Sequence, residues 1–176
     1  VYQTEGTDNR NRVFLRDLKD PGGQIEPFLN DFDASYTIVG NDGDMFYVLT
    51  NNEAPRYRLV FVNRRKTAAG AMTVIPEARG RDVLESVTMI NEQFVTIWMT
   101  DAKSTLRVYE ADGSNPKEIT LPGIGSVPEL RGRRKHREAF YAFTSFTHPT
   151  TIYRYPFAKE ASSVFKKPNV DFDSRR

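Results

Sequence analysis

The stretch Phe140-Tyr141-Ala142-Phe143-Thr144-Ser145-Phe146-Thr147-His148-Pro149 runs on into Thr151-Ile152-Tyr153-Arg154-Tyr155. It reads as two short aromatic strands joined by a polar turn that carries proline. Aromatic and β-branched residues suit the pleated, half-buried surface of a sheet, whereas clusters of Gly, Pro, Asn and Asp end it. The same plan recurs upstream. Apolar runs such as Tyr36 to Val39, Met45 to Leu49, Leu59 to Val62 and Phe94 to Met99 are short and almost nowhere fall at helical spacing. Turn formers bound them: Asn41-Asp42-Gly43-Asp44, Asn51-Asn52-Glu53-Ala54-Pro55 and Asp112-Gly113-Ser114-Asn115-Pro116. Strands at this rhythm indicate an all-β sandwich, barrel or propeller.

Internal repetition separates these three. Tyr47-Val48-Leu49-Thr50-Asn51 aligns with Ile97-Trp98-Met99-Thr100-Asp101 and with Tyr141-Ala142-Phe143-Thr144-Ser145, and Val1-Tyr2-Gln3-Thr4-Glu5 fits the same register. The hinge threonines Thr4, Thr50, Thr100 and Thr144 are spaced by 46, 50 and 44 residues. That is the period of a propeller blade, roughly 40–50 residues. Each full repeat offers four strands. The first uses Tyr36–Gly40, Met45–Thr50, Tyr57–Asn63 and Met72–Ile75. The second uses Leu84–Ile90, Phe94–Asp101, Thr105–Glu110 and Lys117–Leu121. The last uses Ser126–Arg131, Glu138–Ser145, Thr151–Pro156 and Ser163–Phe165. A partial unit precedes them, with strands Val1–Thr4, Arg12–Leu18 and Ile25–Leu29. The expected organisation is an incomplete blade over 1–32 and blades over 33–78, 79–123 and 124–168, about three and a half blades of four antiparallel strands. A twisted four-stranded sheet buries both faces only by stacking on its neighbours, so adjacent repeats are the stabilising unit. An open set of blades exposes faces through which it can self-associate.

Composition narrows the chemistry. At 176 residues, 39% hydrophobic and 27% charged, the chain suits one domain, or part of one, with enough apolar surface for a core. No apolar run approaches the ~18 residues that span a bilayer as a helix, so no membrane partner is expected. Neither end shows the charged-then-apolar pattern of a signal peptide, and the first residue is Val1 rather than Met. There are no cysteines, which excludes disulfides, thiolate chemistry and cysteine-ligated metals. A net charge of +2 is a weak field for a nucleic-acid binder, and the basic cluster Arg131, Arg133, Arg134, Lys135 and Arg137 reads as a solvated connection. No nucleic-acid partner is expected.

Candidate site chemistry is sparse. Asn41-Asp42-Gly43-Asp44 lacks the ligand spacing and terminal Glu of a calcium loop and reads as a tight hairpin. His136 and His148 fall at no metal-ligand spacing, so no metal and no cofactor are expected. A hydrolase nucleophile elbow needs G-x-S-x-G on a strand-to-helix turn. Gly123-Ile124-Gly125-Ser126-Val127 lacks that spacing and any following helix, and Ser145 has no neighbouring glycine. No catalytic residue is assigned within the chain.

Several phrases, in order, resemble the prolyl oligopeptidase family of serine peptidases. They are Glu5-Gly6-Thr7-Asp8 through Asn11-Arg12-Val13, Thr50-Asn51 with Ala54-Pro55-Arg56-Tyr57-Arg58-Leu59, and Val74-Ile75-Pro76-Glu77 with Asp82-Val83-Leu84-Glu85. Leu121-Pro122-Gly123-Ile124-Gly125-Ser126-Val127 and Thr144-Ser145-Phe146-Thr147-His148-Pro149 with Ile152-Tyr153 complete the set, which covers essentially the whole chain. The resemblance implies the second half of a seven-bladed β-propeller that caps an α/β-hydrolase domain of the same protein. Such enzymes cut short peptides after proline. The propeller admits peptides and keeps folded proteins from the nucleophile. Residues 171–176 would begin the linker to the hydrolase domain, so the Ser-Asp-His triad would lie beyond Arg176. The first and last blades of this family share no strand, which leaves a seam able to open. In animal members a propeller arginine just before the Glu-Gly pair reaches the active-site cavity, and a cysteine follows the glycine. The matching positions here, Thr4 and Thr7, depart from both, so the cavity lining is expected at Thr4 and Thr7 with the arginine contact missing or supplied differently. Thr4 reads equally as a hinge threonine of the repeat. The rival reading is a free-standing propeller that scaffolds protein partners without hydrolase activity.

Overall fold

Side chains of the strand His148–Pro156 alternate in burial: Thr151, Tyr153 and Tyr155 are buried, whereas Thr150, Ile152 and Arg154 are exposed. That period of two is the signature of a sheet with one face covered. It recurs throughout the computed structural model, which describes residues 1–66 and 70–169. The expected linker over 171–176 lies outside the described residues. Among the described residues there is no helix.

The chain divides into two compact units, Val1–Glu77 and Ala78–Arg176. In the first, β1 (Tyr2–Thr4), β2 (Asn11–Leu15) and β3 (Glu26–Leu29) form a three-stranded sheet. A four-stranded sheet follows, made of β4 (Tyr36–Asp42), β5 (Met45–Thr50), β6 (Arg58–Asn63) and β7 (Met72–Ile75). The second unit has two more four-stranded sheets. One comprises β8 (Val83–Ile90), β9 (Gln93–Thr100), β10 (Lys103–Tyr109) and β11 (Lys117–Ile119). The other comprises β12 (Ser126–Arg131), β13 (Glu138–Ser145), β14 (His148–Pro156) and β15 (Ser163–Lys166). Every sheet is an antiparallel meander in chain order. The last sheet is built from its own four strands, with none borrowed from the N-terminus.

Many strand ends shift by one or two residues from expectation, and two strands differ by three at one end. β2 stops at Leu15 rather than Leu18, because Asp17 turns its carboxylate back to accept the Lys19 N–H (2.9 Å). Side-chain capture of a nearby backbone N–H competes with the ladder. β14 begins at His148 rather than Thr151, so Pro149 lies inside a strand and not in the turn. The hairpin turn is Phe146-Thr147, since Ser145 pairs with His148. A register shift between Phe143 and Ser145 accommodates the proline. Proline has no N–H to donate, and an irregular position at the start of a strand is where it is tolerated.

Apolar residues are buried between sheets. In the first unit, Val13 and Phe28 from the three-stranded sheet pack with Val48, Val60 and Val62 from the next. In the second, Val95, Ile97, Leu106 and Val108 meet Ala139, Tyr141, Phe143, Tyr153 and Tyr155. Tyr141 and Tyr153 stack with ring centroids 5.3 Å apart, and the Tyr141 hydroxyl bonds the Ser162 hydroxyl at 2.9 Å. Each large buried side chain contributes about 1.5–3 kcal/mol relative to exposure. Of the aromatics in the stretch that defines the fold, Tyr141, Phe143, Tyr153 and Tyr155 are core. Phe140 points to the other face and meets Phe165 edge-on at 5.0 Å.

Polar groups also join neighbouring sheets. Asn11 N–H donates to Ala34 O (3.0 Å), and Asn11 Oδ1 accepts from Tyr36 N–H (2.7 Å). In the second unit Ser104 N–H donates to Gly125 O (2.9 Å), while Ser104 Oγ accepts from Val127 N–H (3.0 Å). Behind them, Trp98 Nε1–H donates to Thr96 Oγ1 (2.8 Å), whose own hydroxyl donates to Arg107 O (3.0 Å). These bonds satisfy buried donors that would otherwise each cost about 1–3 kcal/mol.

The hinge threonines share a place but not an orientation. Thr50 lies on the face of Val48, toward the preceding sheet, whereas Thr4 pairs with Asn11 and faces the following one. Thr100 lies on the Trp98 face, away from the sheet that follows, and Thr144 lies on the Phe140 face, away from the sheet that precedes. A one-residue shift of register turns a side chain to the opposite face. Their partners differ accordingly: Thr50 Oγ1 accepts from Asn52 N–H (3.1 Å), Thr100 donates to Asp82 (2.5 Å), and Thr144 donates to the His148 carbonyl (3.4 Å).

Gly125 sits where no side chain fits. A Cβ there would lie 2.3 Å from the Thr144 carbonyl oxygen and 2.7 Å from the Phe143 ring. Gly125→Ala is therefore expected to lose about 1–3 kcal/mol through overpacking, seen as a lower urea midpoint. An unchanged midpoint would show that β12 can back away from β13 without penalty.

Candidate substrate-facing loop

The loop between β1 and β2 carries both expected cavity residues. Thr4 closes β1 opposite Asn11 and is exposed. Thr7 is exposed in the turn Glu5-Gly6-Thr7-Asp8, which is closed by Asp8 N–H to Glu5 O at 3.2 Å. Gly6 has φ +59°, a left-handed conformation that glycine adopts without steric cost. The structure thus brings Thr4 and Thr7 onto one short excursion, with hydroxyls but no charge of their own.

The charge comes from residues that the repeat pattern did not single out. Arg10 grips the Asp8 carboxylate through Nε (3.0 and 3.1 Å) and Nη2 (2.6 Å), and its N–H donates to Asp8 Oδ1 at 2.8 Å. Arg12 Nη1 bonds Glu5 Oε1 at 2.5 Å, and Arg12 Nε donates to the Asn30 carbonyl at 3.1 Å. Both guanidiniums lie over the Phe32 ring, at 5.0 and 4.7 Å from its centroid. A cation over an aromatic face gains from the ring quadrupole. The loop is therefore tied at each end, by Glu5 to Arg12 and by Asp8 to Arg10, with Phe32 as the common platform. The Arg10 side chain and backbone hold the Asp8 carboxyl at about 2, below its ordinary 3.8.

The other candidates stay apart from this loop. Ser145 and His148 are register partners across a hairpin, but His148 Nε2 lies 3.1 Å from the Tyr153 hydroxyl and its ring tilts against Phe143. No hydrogen bond joins the two side chains among the described residues. Ser126 opens β12 and is followed by strand. In the basic connection, Arg131 pairs with Glu129 (2.6 Å) and Arg134 with Glu92 (2.6 Å), so part of its charge is neutralised in place.

Within each unit, two consecutive antiparallel meanders stack through their faces, as neighbouring blades of a β-propeller do. The chain belongs to the family described as prolyl oligopeptidase, N-terminal beta-propeller domain, which matches residues 1–168. It is 30% identical over 174 residues to a prolyl endopeptidase of Elizabethkingia meningoseptica, covering 98% of this chain and 24% of that protein. Among solved structures, one from a structural and mechanistic study of two prolyl endopeptidases superimposes with a TM-score of 0.84 at 29% identity, over 98% of this chain and 25% of that one. The apo form of prolyl oligopeptidase B from Galerina marginata gives a TM-score of 0.87 at 26% identity, over 98% of this chain and 25% of that one. The chain thus spans about a quarter of the length of the relatives it matches.

The clasp sets a pH dependence. The folded Asp8 carboxyl titrates at about 2 and an unpaired one at 3.8, so its stabilisation of the loop is complete above about pH 4 and is lost as pH falls through about 2. Carboxyl-carbon NMR should place the Asp8 midpoint near that lower value, and Arg10→Gln should return it toward 3.8. A wild-type midpoint already at the unpaired value would mean that the pair does not persist in solution.

Proposed function

We propose that this chain is the substrate-gating propeller portion of a serine peptidase that cleaves short peptides after proline. The observation that carries the reading is the family match over residues 1–168, at a quarter of the relatives' length. In this reading the chain contributes blades over 1–32 (incomplete), 33–78, 79–123 and 124–168. Residues 171–176 lead toward an α/β-hydrolase domain, and the Ser-Asp-His triad belongs to that domain. The partners are peptide substrates and the hydrolase domain of the same polypeptide. Excised from them, the chain self-associates through its uncovered sheet faces.

The propeller acts by exclusion. A ring of stacked sheets admits a narrow peptide and holds folded proteins away from the nucleophile. Thr4 and Thr7 line the cavity at the end of this path. The clasp of Arg10 and Arg12 on Phe32 fixes the loop that presents them, and so it serves positioning rather than bond making. Because both arginines are already engaged by carboxylates, the lining offers hydroxyl contacts in place of a free cation.

Two measurements on the full-length polypeptide test this. It should release fluorophore from a proline-containing peptide, whereas the 176-residue chain alone should not. Cleavage by the chain alone would overturn the placement of the triad. Thr7→Trp in the full-length protein should raise KM by about tenfold, equivalent to about 1.4 kcal/mol of lost binding, with little change in unfolding midpoint. An unchanged KM would remove Thr7 from the cavity.

A further inference from the structure

Three sheets repeat one geometric position. In β2, β10 and β14, the pairing with the outermost strand begins at Val13↔Leu29, Leu106↔Ile119 and Ile152↔Lys166. Two residues earlier stand Asn11, Ser104 and Thr150. Asn11 and Ser104 are buried, and each fastens its sheet to the next in the same way. The backbone N–H donates to a carbonyl, of Ala34 or Gly125, and the side-chain oxygen accepts the N–H two residues on, of Tyr36 or Val127. The recipients lie where the first strand of the following sheet begins. The corresponding residue just before β6, Tyr57, departs from this pattern: with φ +66° it turns its N–H onto Ala54 O within its own turn (2.7 Å).

Thr150 occupies the same position and is exposed. The bond from Phe157 N–H to Arg137 O (3.1 Å) sets the phase of the β13–β14 ladder. In that phase Thr151 directs its N–H at β13, and Thr150 directs its own away. Thr150 shares its face with Ile152, Phe140 and Ala142. Of these, Phe140, Ala142 and Ile152, together with Phe165, 61% exposed, line an apolar hollow of about 230 Å³. Two ion pairs, Arg131–Glu129 and Arg154–Glu138, flank it with no net charge. An apolar centre inside a charged rim is the anatomy of an interface.

We propose that Thr150 is a latch: the outward face of β12–β15 receives the first strand of a further blade, supplied by the full-length polypeptide outside these residues. The Thr150 N–H donates to a carbonyl of that strand and Thr150 Oγ1 accepts the N–H two residues on, while an apolar side chain of the strand fills the hollow. The inference rests on the reading of the chain as part of a longer propeller. It adds to that reading a directional pair of hydrogen bonds at a seam that shares no strand. Two such bonds are few enough to break and remake as the ring opens.

Hydrogen exchange over Phe146 to Ile152, read by mass spectrometry, tests the latch. The segment should exchange at least about tenfold more slowly in the full-length protein than in the isolated 176-residue chain. Thr150→Val in the full-length protein should recover about tenfold of that difference, and Thr150→Ser should restore protection. Equal exchange in the wild-type pair would overturn the latch even if the variants failed to fold. So would a folded Thr150→Val protein with wild-type exchange. Exchange as expected in a full-length protein that cleaves no proline-containing peptide would keep the latch and reject the peptidase reading instead.

Discussion

A β-sheet has two faces, and a four-stranded sheet of this size cannot bury either by itself. The structure depends on neighbouring sheets to do so. Val95, Ile97, Leu106 and Val108 on one side, and Tyr141, Phe143, Tyr153 and Tyr155 on the other, become core only because the two sheets meet. Val13 and Phe28 are covered in the same way by Val48, Val60 and Val62. The polar fasteners Asn11 and Ser104 sit at the margins of these contacts, where two sheets converge and backbone groups would otherwise be stranded. Directional bonds there fix the relative setting of sheets that apolar packing alone leaves free to slide.

The same constraint explains why so much of the fold can be read from residue order. Strand periodicity, turn residues and a recurring interval near 46 residues are local or simply additive features, and each sheet is a meander whose pairing follows chain order. Orientation is less legible. The hinge threonines align by neighbours and spacing, yet Thr4 faces the following sheet and Thr50 the preceding one, while Thr100 and Thr144 lie on the faces that the two sheets of the second unit turn away from each other. Irregular pairings such as Ile38/Gly40 and Leu84/Ser86 interrupt the ladders, and no residue type announces them. Pro149 misleads for a related reason: in sequence it marks a turn, whereas the bulge beside it makes room for it inside β14.

The candidate loop shows a second limit. Glu5-Gly6-Thr7-Asp8 can be recognised from its order, and the positive φ of Gly6 accords with the turn. The repeat pattern does not mark the residues that hold it. Arg10 and Arg12 alternate along the chain and so fall on one side, a signal available in principle. Their platform, Phe32, comes from the connection after β3, and nothing in its local sequence ties it to the loop. Asp8, Arg10, Arg12 and Glu5 thereby convert a mobile-looking polar turn into a fixed presentation of Thr4 and Thr7. Charge used in this way is spent locally, so the loop presents hydroxyls while both guanidiniums are engaged by carboxylates.

If stacking between sheets is what stabilises each one, a single sheet should not survive excision. The most direct measurement is equilibrium urea unfolding, followed by circular dichroism, of residues 78–169 and of residues 124–169 alone. The account predicts one cooperative transition for the pair of stacked sheets and no transition for the lone sheet, which should already be unfolded in buffer. A cooperative transition from residues 124–169 by themselves would contradict it, because the apolar face carrying Tyr141, Phe143, Tyr153 and Tyr155 would then be stable without the neighbour that covers it.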